Sequence, residues 1–132
     1  MLRQRLVGDA LTRYLASITA ALVRSLDPRR VILFGSFARG DQNRASDVDL
    51  VVIAESPLPF CERIGQALAA CYAASTAMPV EVLVYTPKEW DQMVRTQSSF
   101  AKRITSEGRI LYDAESQPHG RAALAKAGAA RP

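Results

Sequence analysis

A chain of 132 residues, 48% of them apolar and 23% charged, has room for one domain with one core and not for two. No apolar run nears the roughly 18 residues that cross a membrane, and the start, Met1-Leu2-Arg3-Gln4-Arg5, shows no signal-peptide core, so a cytoplasmic protein with no membrane partner is expected. The net charge of +4 fits a mildly basic surface and selects no particular anionic partner.

Leu2, Leu6, Leu11, Tyr14, Leu15, Ile18, Leu22 and Leu26 recur at helical spacing and predict an amphipathic helix over 2–26, ended by Asp27-Pro28. Arg30 to Phe34 reads as a short buried strand, and Ser36 to Gly40 as a turn or short helix directly after it. A polar loop, Asp41 to Ser46, leads into a second strand, Asp47 to Ile53. Its continuous apolar run Leu50-Val51-Val52-Ile53 implies cover on both faces.

Ser56-Pro57-Leu58-Pro59 breaks the chain. Phe60, Ile64, Leu68 and Tyr72, four apart, then predict a helix over 59–76. Val80 to Tyr85 is a third strand. Thr86-Pro87-Lys88-Glu89 spells a capping box with Pro at the first helical position, starting a helix to about Gln97. A further helix runs from Ser99 to about Glu107 and stops at Gly108, and Arg109 to Tyr112 predicts a fourth, edge strand. The domain is expected to span 1–113, with an N-terminal helix 2–26 and a core 28–112. Ala-rich residues 114–132 read as a flexible tail. The fold class is α/β (α+β), a small sheet of about four strands with helices packed on it.

Cys61 and Cys71 lie on one predicted helix, about 15 Å apart, too far for a disulfide, and no Cys/His cluster suggests zinc. His119, the sole histidine, falls in the tail, and Trp90 reads as core.

Chemistry concentrates in residues 35–49. Strand residues i and i+2 point to one side, so Asp47 and Asp49 aim two hard oxygen ligands together, as Mg²⁺ shared with phosphate oxygens requires. Gly35 permits close approach of a phosphate to the backbone, and Ser36 offers a hydroxyl and an amide donor. Glu81, in the third strand, is the candidate third carboxylate, able to hold metal or accept a proton. Arg39 and Arg44 flank the loop. Either could balance triphosphate charge or be a solvated loop residue, and Arg39 is the preferred candidate. No Walker lysine follows the Gly-Ser turn.

The stretch Phe34-Gly35-Ser36-Phe37-Ala38-Arg39-Gly40, followed by Ser46-Asp47-Val48-Asp49-Leu50, resembles the signature of the polymerase-β-like nucleotidyltransferases. Val80-Glu81-Val82-Leu83-Val84-Tyr85-Thr86-Pro87-Lys88-Glu89-Trp90 and Gly108-Arg109-Ile110-Leu111-Tyr112 are similar to the minimal members of that group, the antitoxin-type partners of HEPN-domain ribonucleases. The resemblance covers residues 28–112 and implies a small mixed sheet. It implies that Asp47 and Asp49 bind one or two Mg²⁺ ions with ATP, and that Gly35 and Ser36 hold the β/γ-phosphates. It places Glu81 where the group usually has Asp.

The resemblance further implies transfer of AMP from ATP to a hydroxyl, foremost a tyrosine of a HEPN toxin, which would make the protein an antitoxin. Two alternatives stay open. One is a non-catalytic antitoxin. The other is the catalytic subunit of an aminoglycoside-type transferase completed by a helical substrate-binding subunit. Homo-oligomers are possible. Nucleic acid is a weaker candidate substrate, since no aromatic-basic platform is visible.

Overall fold

The computed structural model describes residues 8–116. The first residues of the expected 2–26 helix, His119 and most of the expected tail lie outside that range. Helix α1 spans Gly8–Leu26, strand β1 Arg30–Phe34, helix α2 Ser36–Arg39 and strand β2 Val48–Ile53. Helix α3 spans Phe60–Ala74, β3 Val80–Tyr85, α4 Pro87–Arg95, α5 Ser99–Glu107 and β4 Arg109–Asp113.

The strands form one mixed sheet in the order β3-β2-β1-β4. β1 runs antiparallel to β2 and β4, and β2 runs parallel to β3. Alternation along each strand divides the side chains between two faces. Val31, Leu33, Val48, Leu50, Val52, Val80, Val82 and Val84 are buried with Tyr14, Leu15, Ile18 and Leu22 of α1 and Ala67 and Cys71 of α3. On the other face Ile32, Val51 and Ile53 are closed by Trp90 of α4 and Ala101 and Ile104 of α5. The apolar run of β2 is therefore covered on both sides, as its sequence implied.

The packed face of α3 is centred on Arg63, Ala67 and Cys71, with Ile64 and Leu68 at its flank. Phe60 and Tyr72, the ends of the i+4 series, are 37% and 38% exposed. A strict four-residue repeat gains about 40° per step on a 3.6-residue helix, so its two ends drift off one face. Cys61 is exposed and Cys71 buried, both free. Burial pushes the Cys71 thiol up to about 11, which keeps it protonated and inert.

Two side chains of α3 blunt the β3 edge. The Val80 amide donates to the Tyr72 hydroxyl at 2.9 Å, and the Val84 carbonyl accepts from Arg63 at 3.1 Å. Backbone groups that would otherwise recruit another strand are thereby occupied. The opposite edge, β4, carries a bulge opposite Val31 and Ile32. Just beyond β4, Ala114 is buried and its amide donates to the Arg29 carbonyl at 2.9 Å.

Gly108 ends α5 with φ −68°, not in the left-handed region. Its reason is space: a Cβ there would fall 2.5 Å from the Ile104 carbonyl oxygen and 2.7 Å from Ile32 Cγ2. Gly108→Ala should therefore lower stability by about 1–3 kcal/mol, the range for overpacking a tight site. A shift of the urea midpoint at unchanged slope checks this.

Candidate active site

The site is assembled where β1 ends and β2 and β3 begin. At Gly35 the chain turns with φ +73°, and any Cβ there would collide with the Asp49 carboxylate. Glycine is required twice over, for the dihedral and for the space. One turn of helix follows. The amides of Ala38 and Arg39 donate back to the Gly35 carbonyl at 3.1 Å each, and Phe37, buried beneath the turn, anchors it.

The loop to β2 is self-braced. The Asn43 amide donates to Ser46 Oγ at 2.9 Å, and the Ala45 amide donates to Asn43 Oδ1 at 2.8 Å. This bracing delivers Asp47 to the last position before β2. Asp49 lies opposite Phe34 of β1 and directly beside Glu81 of β3. It shares its sheet face with Val51 and Ile53 but sits beyond the end of their cover, half-buried, while Glu81 is exposed.

Of the residues singled out from the sequence, the structure brings Gly35, Asp49 and Glu81 together. Ser36 opens α2 beside Gly35, and Asp47 lies within electrostatic range of Asp49. Arg39 ends α2 and is exposed. Its Nε donates to Asp41 at 3.2 Å and its Nη1 to Glu107 at 3.3 Å. Glu107, 68 residues further along, has no local signal that could have linked it to Arg39. Arg44 is exposed on the loop.

Asp49 carries the electrostatic signature of the site. Burial, then the charges of Glu81 and Asp47, push its carboxyl up to about 6, and the Arg39 charge partly offsets them. The folded pKa lies above the ordinary carboxylate value. The unfolded chain therefore ionises first, and folding is progressively opposed as pH rises from the ordinary carboxylate value to about 6, above which the penalty is constant. Asp49→Asn should raise the ligand-free melting temperature at pH 7.5 by a few degrees, about 1 kcal/mol once solvent screening is allowed for. The gain should vanish below about pH 3, where both states are protonated. Thermal melts of the two proteins across that range check the sign.

The donor set fits a hard divalent cation, since Asp47, Asp49 and Glu81 offer carboxylate oxygens only. Among the described residues no group of three such side chains is gathered closely enough to hold a metal ion by itself.

A strand end, a Gly-Ser turn and carboxylates on two adjacent strands meet at one end of the sheet. The chain belongs to the nucleotidyltransferase domain family, whose model matches residues 16–112. It is 26% identical over 84 residues to a candidate protein adenylyltransferase of Methanocaldococcus jannaschii, spanning 64% of this chain and 78% of that one. Among solved structures, a toxin-antitoxin with AMP-PNP matches with a TM-score of 0.56 at 23% identity, over 75% of this chain and 73% of that one. A candidate nucleotidyltransferase from Sulfolobus solfataricus matches with a TM-score of 0.53 at 18% identity, over 86% of this chain and 96% of that one. At these identities the two structures bear out the fold, a mixed α/β nucleotidyltransferase sheet. Among the described residues no helix is long and apolar enough to cross a membrane.

Proposed function

We propose that this nucleotidyltransferase moves AMP from ATP to a hydroxyl of a partner protein, foremost a tyrosine of a HEPN-domain toxin, and so acts as the antitoxin of a pair. The carrying observation is the Gly35 turn closed against Asp49, with Glu81 on the adjoining strand. The likeness to a candidate protein adenylyltransferase favours a protein acceptor. The same fold serves a toxin-antitoxin that binds AMP-PNP.

In this reading Gly35 and Ser36 hold the β- and γ-phosphates, and Arg39 balances their charge from the rim. Asp47, Asp49 and Glu81 would hold Mg²⁺, which supplies charge neutralisation and alignment at the α-phosphate. In the same reading Glu81, which is exposed, takes the proton of the attacking hydroxyl. The glycine cradle and the braced 41–46 loop fix these groups before substrate arrives, which spares reorganisation during the reaction.

The test is direct. The chain, ATP, Mg²⁺ and the product of the neighbouring gene are combined, and the partner's intact mass is measured. Each transfer should add about 329 Da, AMP less water. A partner that is neutralised without a mass change would replace catalysis with inhibition by contact. AMP found instead on a small polyhydroxylated compound would point to the aminoglycoside-type alternative.

A further inference from the structure

In an in-line displacement the entering hydroxyl and the departing pyrophosphate stand on opposite sides of the phosphorus. The proposed function, on which this inference rests, puts the pyrophosphate at Gly35-Ser36 on the β1 side and the α-phosphate at Asp49 on β2. The sheet order β3-β2-β1 then leaves the β3 side for the acceptor. Glu81 is the carboxylate on that side, and it is exposed.

What adjoins Glu81 is a strip of half-open apolar surface. Leu83 and Tyr85 follow Glu81 at alternate positions of β3, so all three share one face. Both are half-buried, whereas Val51 and Ile53 on the neighbouring strand are sealed by Trp90, Ala101 and Ile104. Phe60, 37% exposed at the start of α3, lies against Tyr85 with ring centroids 5.5 Å apart. Phe100 flanks the strip, 6.2 Å from Tyr85 and 5.6 Å from Phe34. From Glu81 to Tyr85 the strip runs about 13 Å, enough for a ring and an adjoining residue.

We infer that Leu83, Tyr85 and Phe60 form the acceptor subsite, and that it takes a phenolic side chain of a polypeptide, with the ring on the strip and the hydroxyl at Glu81. A ring on an aromatic surface gains about 0.5–1.5 kcal/mol beyond its buried area. A serine or threonine would leave the strip empty, and a sugar would press unpaired hydroxyls against it. The proton chemistry agrees, since a phenol, with a pKa near 10, surrenders its proton to a carboxylate far more readily than an aliphatic alcohol does. In the step itself the phenol oxygen bonds to the α-phosphorus. The bond from that phosphorus to the bridging oxygen breaks, pyrophosphate leaves with the electron pair, and the proton passes to Glu81 and then to water.

The experiment uses the whole chain, Mg²⁺, ATP labelled at the α-phosphate and two end-blocked peptides that differ only in Tyr or Ser at the centre. The tyrosine peptide should be labelled with a kcat/KM at least about tenfold above the serine peptide. Phe60→Ala and, separately, Tyr85→Leu should raise the peptide KM about tenfold and leave the KM for ATP unchanged. Phe60 lies at the surface, so that variant keeps its melting temperature within a few degrees. Equal labelling of the two peptides, an unchanged peptide KM in both variants, or no labelling of the tyrosine peptide by a wild-type chain that binds ATP overturns the subsite. A rise in the KM for ATP instead assigns the strip to the nucleobase and also overturns it. A wild-type chain that is not stabilised by ATP and Mg²⁺ removes the proposed function itself, and the subsite with it.

Discussion

With Asp47 and Asp49 both replaced by Ala, AMP transfer should fall by about a thousandfold or more, the scale of losing preorganised charge at a reacting phosphate. The rise in melting temperature that ATP and Mg²⁺ give the wild type should disappear with it, because only a ligand that binds the folded state stabilises it. The variant should still fold. Asp49 is pushed up to about 6 by burial and by its acidic neighbours, so its ionised form opposes folding at neutral pH. An equal ATP-dependent rise in the variant would place the nucleotide elsewhere. Gly35→Ala should imitate the loss without touching a charge, since its Cβ would displace the Asp49 carboxylate. Glu81→Gln separates the next step: ATP binding should persist while turnover drops sharply. Glu81→Asp should retain activity or raise it if the geometry usual in the group applies. Unchanged turnover in Glu81→Gln would reduce Glu81 to an exposed residue of an edge strand.

The parts of this fold that sequence revealed are those written in local chemistry. The Thr86-Glu89 capping box is present in both directions, at 3.2 Å and 2.9 Å. β1 spans Arg30–Phe34 as its β-branched and aromatic run implied. The Asp47-x-Asp49 spacing marked the entry to β2, with Asp49 in the strand and Asp47 just before it, and the Gly-Ser turn marked where β1 had to end. What sequence could not reveal depends on contacts between distant segments. Gly108 read simply as a helix stop, and it is there because Ile32 and the Ile104 carbonyl leave no room. The tether from Arg39 to Glu107 joins α2 to α5 and has no periodicity or motif behind it. Glu81 stood out in the sequence as a candidate third carboxylate, but its exact register beside Asp49 comes from the parallel β2–β3 pairing, which no local pattern sets.

Arg63 is the clearest such case, since a charged residue amid an apolar helical repeat would be assigned to solvent, and it is only 7% exposed. Its guanidinium donates to both carboxylate oxygens of Glu89, at 2.7 Å and 3.1 Å. It also reaches the carbonyls of Leu58, at 2.8 Å, and Val84, at 3.1 Å. One side chain thus ties the entry to α3, the edge of β3 and the first turn of α4. Arg63→Ala would leave two carbonyls without their donor and a carboxylate without its counter-charge. Breaking a buried pair on one side costs about 3–5 kcal/mol. Glu89 is 43% exposed and keeps its bond to the Thr86 amide, which sets the expected loss at the low end, about 3 kcal/mol. That corresponds to a fall in melting temperature of about 10 °C. Arg63→Lys should recover only a minor part, since an ammonium cannot reproduce the planar fork. The pH dependence gives an independent check. The hydrogen bond from Arg63, then those from Thr86, hold the Glu89 carboxyl below its ordinary value against the opposing effect of burial. A carboxylate with a lowered folded pKa stabilises the fold above its unfolded pKa, and that contribution is lost as pH falls through the folded value. The gap between wild type and Arg63→Ala should therefore be full at pH 7 and narrow as the solution is acidified toward pH 3. A gap that stays constant with pH would mean that the side chain stabilises the protein by packing and carbonyl bonds alone, with no part for the pair.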